Sequence, residues 1–339
     1  MIEILDKYFF VFIFIGVYNF LIIWNFSKIS KFYNLFDYPD KKRKIHQSPV
    51  SLIGGFIIFS NFIIINLSIF YVGKLDDFGS YLYIYSYKNL IVLSAIISSV
   101  FILGYFDDKY LINPLKKLFI LTFLMLILCI NNPLSLIDQF FIPIRNLEIS
   151  FERLSLIFSV SCYVFLIIAL NMFDGINLQS FNFFFINILF LLINLPSSNP
   201  ILIVLIFSLI VFAYLNHKNK SFLGDSGSYL LSLILGYFYV RAHNNLGIYN
   251  TIDIINFLFL PIFDSLRVIT FRQLQNKTVF LPDKIHIHHY LLKKIGYKNT
   301  IILLTIFILL PHILFLFQLN SLIVLLIQLI LYFILLKKI

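Results

Sequence analysis

Five short polar clusters interrupt a chain that is otherwise apolar, and each carries residue types that bind charge or move protons. The first reads Gly104-Tyr-Phe-Asp107-Asp108-Lys109, followed by Asn113-Pro114-Leu115-Lys116-Lys117. Adjacent carboxylates repel each other, and a chain keeps them side by side where a divalent cation or a proton transfer uses the charge. Alone, the pair would equally suit a solvated helix end. The second reads Asn171-Met-Phe-Asp174-Gly175-Ile-Asn177, between two long apolar runs and with no basic residue nearby to neutralise Asp174. A lone carboxylate and two amides in so short a turn suit ligand contact, and Gly175 lets a backbone approach closely, although a simple polar turn would look the same.

The third cluster, Ser221-Phe-Leu-Gly224-Asp225-Ser226-Gly227-Ser228, opens a helix expected from about Tyr229. Small residues and free amides at a helix N-terminus form an anion cradle, and Asp225 offers a hard oxygen ligand for Mg²⁺. An N-cap would account for Asp225 or Ser228 but not for the glycines around them. The fourth, Asp283-Lys284-Ile-His286-Ile-His288-His289, sets three histidines within four positions. Zinc would find no thiolate and one carboxylate there, so the Lys and Arg on both flanks favour phosphate binding, or else a solvated basic loop. The fifth, Asp37-Tyr-Pro39-Asp40-Lys41-Lys42-Arg43-Lys44-Ile-His46 with Gly54-Gly55 behind it, reads by itself as a topology determinant or lipid contact.

Together the clusters supply carboxylates, a glycine cradle, and Lys, Arg and His donors, which is what joining two anionic phosphates requires. A dication screens the diphosphate, cationic side chains take up charge developing on the equatorial oxygens, and a carboxylate serves as base or metal ligand. One substrate would be water-borne, and the other a lipid phosphate whose head group lies at the interface.

The elements that must hold these clusters are transmembrane helices. Of 339 residues, 60% are hydrophobic and 12% charged, with a mean hydropathy of +0.93, whereas a soluble domain is about a quarter charged. Apolar runs recur at the roughly 20-residue length that crosses a bilayer. They predict an all-α integral membrane protein with about eleven transmembrane helices, near 8–26, 50–71, 87–106, 116–130, 153–170, 178–195, 200–216, 229–247, 252–271, 300–317 and 321–336, in one polytopic domain over 1–339. Glu3 and Asp6 stand where a signal peptide would be basic, so the first run is expected to be a retained helix. Cys129 and Cys162 fall inside apolar runs, which argues against a disulfide framework.

Eleven crossings sort the loops onto two faces. Loops 27–49, 107–117, 171–177, 217–228 and 272–299 fall on one face with the C-terminus, and they carry all five clusters. Of the 26 Lys and Arg, the other face holds Lys7, Lys74, Lys88, Arg145, Arg153 and Arg241. The positive-inside rule then puts the N-terminus outside and the C-terminus in the cytoplasm. The net charge of +10 belongs largely to the cytoplasmic face, where it attracts membrane lipids and anionic substrates. No nucleic acid partner is expected.

In this order and on this face, the clusters resemble those of the polyprenyl-phosphate N-acetylhexosamine-1-phosphate transferases (glycosyltransferase family 4), bacterial membrane enzymes that start cell-envelope glycan assembly. The resemblance rests on Asp107-Asp108 with Lys117, on Asn171 to Gly175, on Gly224 to Ser228, on His286 to His289, and on Arg43-Lys44-Ile45-His46 with the paired glycines behind it. It implies transfer of a sugar 1-phosphate from a UDP-sugar to undecaprenyl phosphate, with UMP released and Mg²⁺ required, Mn²⁺ being the alternative. It also implies Asp225 as metal ligand and Asp107, Asp108 and Asp174 as catalytic residues. Lys44, His46, Lys117, Asn171, Asn177, His286, His288 and His289 are the implied substrate contacts.

The His-x-His-His form resembles the N-acetylglucosamine branch rather than the muramoyl-pentapeptide branch, which carries three consecutive histidines. The family usually reads Asp-Gly-x-Asp-Gly-Leu where this chain has Asp174-Gly-Ile-Asn177-Leu178-Gln179, losing a charge and a glycine that bear on donor contacts. A polytopic transporter would also have many helices, but would place its ionisable residues near the bilayer midplane on broken helices. A phosphatidyltransferase using a CDP-lipid would carry an Asp-Gly-x-x-Ala-Arg stretch, which is absent. The sugar, the glycan served (wall polysaccharide or lipopolysaccharide O-antigen among them) and the oligomeric state, a homodimer included, are left open.

Overall fold

A computed structural model describes residues 8–39, 46–72, 87–142, 147–195, 199–279 and 284–337. In chain order its elements are α1 (Phe9–Trp24), α2 (Phe26–Tyr33), β1 (Phe36–Asp37), β2 (Val50–Ser51), α3 (Gly54–Val72), α4 (Tyr87–Tyr110), α5 (Pro114–Asn131), β3 (Gln139–Ile142), β4 (Leu147–Ser150), α6 (Ser155–Phe173), α7 (Gln179–Asn194), α8 (Pro200–His217), α9 (Gly224–Leu246), α10 (Thr251–Phe257), α11 (Phe259–Leu274), α12 (Ile287–Leu316) and α13 (Ser321–Lys337). Two antiparallel ribbons, β1–β2 and β3–β4, are the exceptions to a helical protein. Ser51 of β2 also bridges Ser221 in parallel, which ties the start of α3 to the approach to α9.

Each of the eleven apolar runs forms helix, yet among the described residues six helices are both long and apolar enough to cross a membrane. The number rises to eight if the bent pairs α1–α2 (75°) and α10–α11 (78°) each count as one span. The chain is a multi-pass, all-α membrane protein. Helices α7 and α13 are apolar but have 16 and 17 residues. Helix α9 departs for a different reason. Residues 226–242 are all buried, and α9 packs against α3, α4, α6 and α7. A helix enclosed by other helices shows no face to lipid and can carry serines and Arg241 without an apolar surface.

Glycines permit that enclosure. A Cβ on Gly55 would stand 2.3 Å from the Gly227 nitrogen, and one on Gly104 would stand 2.4 Å from the Ser226 Cα, so α3 and α4 touch α9 backbone to backbone.

Helix ends shift toward the motifs. Asp107 and Asp108 lie in the last turn of α4, Gly224 to Ser228 form the first turn of α9, and His288 and His289 lie in the first turn of α12; none of these is in a loop. The run at 252–271 is two helices, broken at Leu258 (φ −98°, ψ 6°). Pro261 follows in the first turn of α11, where its missing N–H costs nothing. Helix α12 begins near 287 rather than 300 and kinks at Gly296 (φ 75°). The stretch read as loop 27–49 contains α2 and β1.

Candidate active site

Helix ends bring the clusters to one end of the bundle. Helix α4 terminates in a left-handed turn at Leu111 (φ 52°), and α5 starts at once, with Pro114 in its first turn and the Asn113 side chain accepting the Leu115 N–H at 2.9 Å. That reversal sets Lys117 against Asp107. The two form an ion pair, and Lys117 Nζ also lies 3.8 Å from Asp225 Oδ2. Asp107 is buried; its Oδ1 accepts the Ile112 N–H at 3.0 Å and its Oδ2 accepts the Tyr229 hydroxyl at 3.0 Å.

Asp108 has a different task. Its Oδ1 and Oδ2 accept the backbone N–H groups of Asp225 (2.9 Å) and Ser226 (3.2 Å) at the start of α9. This corrects the expected anion cradle, because those amides are occupied by a carboxylate of the chain itself. Gly224, at φ +75°, is needed because a Cβ there would meet Asp108 Oδ2 at 2.7 Å. Asp108 thus acts as a cap supplied from another helix, satisfying orphan amides and placing negative charge at the positive end of the α9 dipole.

The end of α6 delivers the next contacts. Asn171 Nδ2 donates to Asp225 Oδ1 at 2.7 Å and to Ser228 Oγ at 2.9 Å. Five of the residues expected from the sequence, Asp107, Asp108, Lys117, Asn171 and Asp225, are therefore joined in one network drawn from α4, α5, α6 and α9. Asp225, beside Asp107 and a single lysine, offers a hard oxygen ligand that suits Mg²⁺. No group of three or more His, Cys, Asp or Glu forms a cage among the described residues. A cation here would keep water or substrate oxygens in its remaining positions, as Mg²⁺ commonly does.

Beyond Asn171 the chain turns through Asp174 and the second half of the site. Asp174 Oδ1 accepts the Ser180 hydroxyl at 2.6 Å. Burial pushes the Asp174 carboxyl up to about 6, with the Ser180 hydrogen bond opposing the shift. A group that binds its proton more tightly when folded contributes stability that is complete below the ordinary carboxylate pKa and is lost as pH rises through about 6. Asp174→Asn is expected to raise the stability of the substrate-free protein at pH 7.5 by about 1 kcal/mol, the full shift being discounted for partial exposure. The gain should vanish below pH 4. Thermal melts of both proteins across that range check this, and a variant less stable at pH 7.5 would refute it.

Gly175 sits under His288: a Cβ there would lie 2.0 Å from His288 Nε2. His288 is buried, and its Nδ1 pairs with the Gln179 side-chain nitrogen at 3.3 Å. Asn177, expected to touch substrate, donates its amide to Asn219 Oδ1 at 2.5 Å. Leu178 takes φ +64°, and its N–H is held by Asn216 Oδ1 at 2.7 Å. The transferases that the motifs resemble have glycine at this position; in this chain the backbone takes the left-handed turn and the leucine bears the strain. Leu178→Gly is expected to stabilise the protein by about 0.5–1 kcal/mol, relief of strain outweighing the added chain entropy. A lowered melting temperature would contradict it.

His46 Nε2 pairs with Asp37 Oδ2 at 2.9 Å, and its ring lies 5.2 Å from that of Phe222, two residues before Gly224. Lys44 and Asp283 lie outside the described residues. His286 Nδ1 pairs with Asp264 Oδ2 at 2.8 Å, and the His286 and His288 rings lie parallel at 5.4 Å, with His289 against His288 at 4.3 Å. Several of these partners, Tyr229, Gln179, Ser180, Asn216 and Asp264, were not selected from the sequence. Asp264 carried a usable signal, a carboxylate inside the apolar run Phe259-Leu-Pro-Ile-Phe-Asp264.

Residues 90–243, which hold Asp107, Asp108, Lys117, Asn171, Asp174 and Asp225, match the family model described as glycosyl transferase family 4. The chain carries the family 4 glycosyl transferase region. It is 27% identical over 262 residues to a protein of Bacillus subtilis (strain 168) named "Probable undecaprenyl-phosphate N-acetylglucosaminyl 1-phosphate transferase", a match covering 74% of this chain and 68% of that protein. It is 34% identical over 104 residues to the "Decaprenyl-phosphate N-acetylglucosaminephosphotransferase" of Mycobacterium leprae (strain TN) and 31% identical over the same length to its namesake in Mycobacterium tuberculosis (strain ATCC 25618 / H37Rv). These two matches cover 27% of this chain and 26% of each mycobacterial protein. The resemblance seen in the sequence motifs therefore holds.

Proposed function

We propose that this family 4 region transfers a sugar 1-phosphate, N-acetylglucosamine 1-phosphate or that of a related N-acetylhexosamine, from a UDP-sugar to undecaprenyl phosphate. UMP is released, and the product begins a cell-envelope glycan at the cytoplasmic face of a bacterial inner membrane. The observation that carries this reading is the convergence of Asp107, Asp108, Lys117, Asn171 and Asp225 at the ends of four helices. The names of the relatives support the choice of lipid phosphate and sugar.

The chemistry forms a bond from a lipid phosphate oxygen to the sugar-bearing phosphorus of the donor and breaks the bond from that phosphorus to UMP. Mg²⁺ bound at Asp225 would neutralise charge on the diphosphate. Lys117 offsets the like charges of the two carboxylates and can turn to the phosphates as they enter. Asp108 holds α9, and with it Asp225, in register with α4. Asp174 and the histidines of the α12 start lie on the adjoining side, where the donor's nucleotide and phosphates would rest. Purified protein incubated with a panel of UDP-N-acetyl sugars, undecaprenyl phosphate and Mg²⁺ should release UMP with UDP-N-acetylglucosamine or a close relative. Exclusive use of UDP-N-acetylmuramoyl-pentapeptide would refute the donor, and no release from any donor would refute the reaction.

A further inference from the structure

Asp264 lies on α11, outside the carboxylate site, and is among the most completely paired side chains in the protein. It is 1% exposed. Its Oδ1 accepts Arg267 Nη2 (2.7 Å), Arg267 Nε (3.2 Å), the Tyr332 hydroxyl (2.7 Å) and the Ile287 N–H (3.2 Å), while Oδ2 faces His286 Nδ1 at 2.8 Å. Arg267 Nη2 also donates to the Ile285 carbonyl at 2.6 Å, and Arg267 Nε donates to the Tyr332 hydroxyl at 2.7 Å. Three consecutive residues, Ile285, His286 and Ile287, are thus bound to one ion pair on α11, and Tyr332, fully buried on α13, closes it from the far side.

Simple anchoring of a segment would need the backbone contacts alone. The extra bond is to an imidazole nitrogen. A carboxylate is acceptor-only, so Nδ1 of His286 must carry the proton, and Nε2 is presented on the opposite edge of the ring. Because the His286 ring lies parallel to that of His288, fixing one ring fixes the face of the row.

We propose that Asp264, with Arg267 and Tyr332, is a positioning network that sets the tautomer and orientation of His286, and through it the histidine row that meets the donor's phosphates. The second half of this statement rests on the reaction proposed above; the first does not. It gives the C-terminal helix a part in the site, through Tyr332.

Asp264→Asn tests it, because the donors on the Oδ1 side all require an oxygen. The asparagine must keep its Oδ1 there and turn its Nδ2 toward His286. An N–H then faces Nδ1, and the ring proton must move to Nε2. In ¹⁵N-histidine NMR of the full-length protein, with the His286 signal assigned by its loss in His286→Gln, the parent should show Nδ1–H and Asp264→Asn should show Nε2–H. This readout needs no turnover, so it stands or falls independently of the reaction. An unprotonated Nδ1 in the parent, or an unchanged tautomer in a folded Asp264→Asn, would overturn the proposal.

In the UMP assay Asp264→Asn should lower kcat/KM for the donor about 10- to 100-fold, yet cost nothing further when His286 is already alanine. Losses that multiply would mean that Asp264 acts by another route. Should Asp264→Asn fail to fold, Tyr332→Phe replaces it in the same cycle, with a loss of about three- to tenfold that disappears in the His286→Ala background.

Discussion

Replacing Asp225 with asparagine is expected to reduce UMP release by about a thousandfold or more while leaving the protein folded. The side chain keeps its size and its Oδ1, so the bond from Asn171 Nδ2 can persist, and the backbone N–H that Asp108 caps is untouched. One of the carboxylates that share Lys117 is removed, so the substrate-free fold should lose no stability. What disappears is a hard anionic ligand at the point where the diphosphate gathers charge, and an amide oxygen is a much poorer partner for Mg²⁺. The measurement is UMP release at saturating Mg²⁺ together with a melting curve. A variant that melts like the parent and turns over normally would remove Asp225 from the metal site. Partial recovery at raised Mg²⁺ would point to weakened binding of the cation.

The parts visible in the sequence were those whose residue types announce charge in an apolar chain: Asp107, Asp108, Asn171 and Asp225 stood out and share one network, while the Asp174 turn meets the histidines through Gly175 and His288. The sequence was less informative about their division of labour. That Asp108 caps α9 depends on the close approach of α4 to α9 through Gly104, and nothing local to either motif encodes a contact 117 residues away in sequence. The glycines around Asp225 looked like an anion cradle because such cradles use the same residues. Here Gly227 admits Gly55 and Gly224 admits the Asp108 carboxylate. Helix surroundings and breaks were similarly hidden. Hydropathy registers what faces lipid, whereas α9 is ringed by protein, and the break between α10 and α11 falls at Leu258, a residue with no helix-breaking character of its own. The Asp264 network was missed because its members, Asp264, Arg267, His286 and Tyr332, come from three separate stretches.

The second large effect concerns the route of the reaction. The transfer is expected to be a direct displacement, with no burst of UMP when the lipid acceptor is withheld. A two-step route would require Asp107 or Asp108 to attack the donor and form an acyl phosphate. Both oxygens of Asp107 are engaged, Oδ1 by the Ile112 amide and Oδ2 by Tyr229 and Lys117. Both oxygens of Asp108 hold the first amides of α9. Attack by either would mean breaking bonds that keep the site assembled. A lipid monophosphate needs no such help: with a second pKa near 6, by analogy with phosphorylated side chains, it is largely dianionic at neutral pH and can attack directly.

Asp107 then serves the transition state by positioning Lys117, whose charge can meet the acceptor phosphate as it closes on phosphorus. Asp107→Asn should lower kcat by about 10²- to 10³-fold with little change in donor KM, because its charge matters most as the attacking oxygen closes on phosphorus. Single-turnover experiments with donor labelled in the sugar and acceptor absent should yield neither stoichiometric UMP nor labelled enzyme. A sugar-phosphate adduct on Asp107 or Asp108 that passes to added undecaprenyl phosphate at the rate of turnover would overturn direct displacement. It would also require one of those carboxylates to leave its partners during the cycle, which loss of the Tyr229 hydrogen bond or of the α9 cap would reveal.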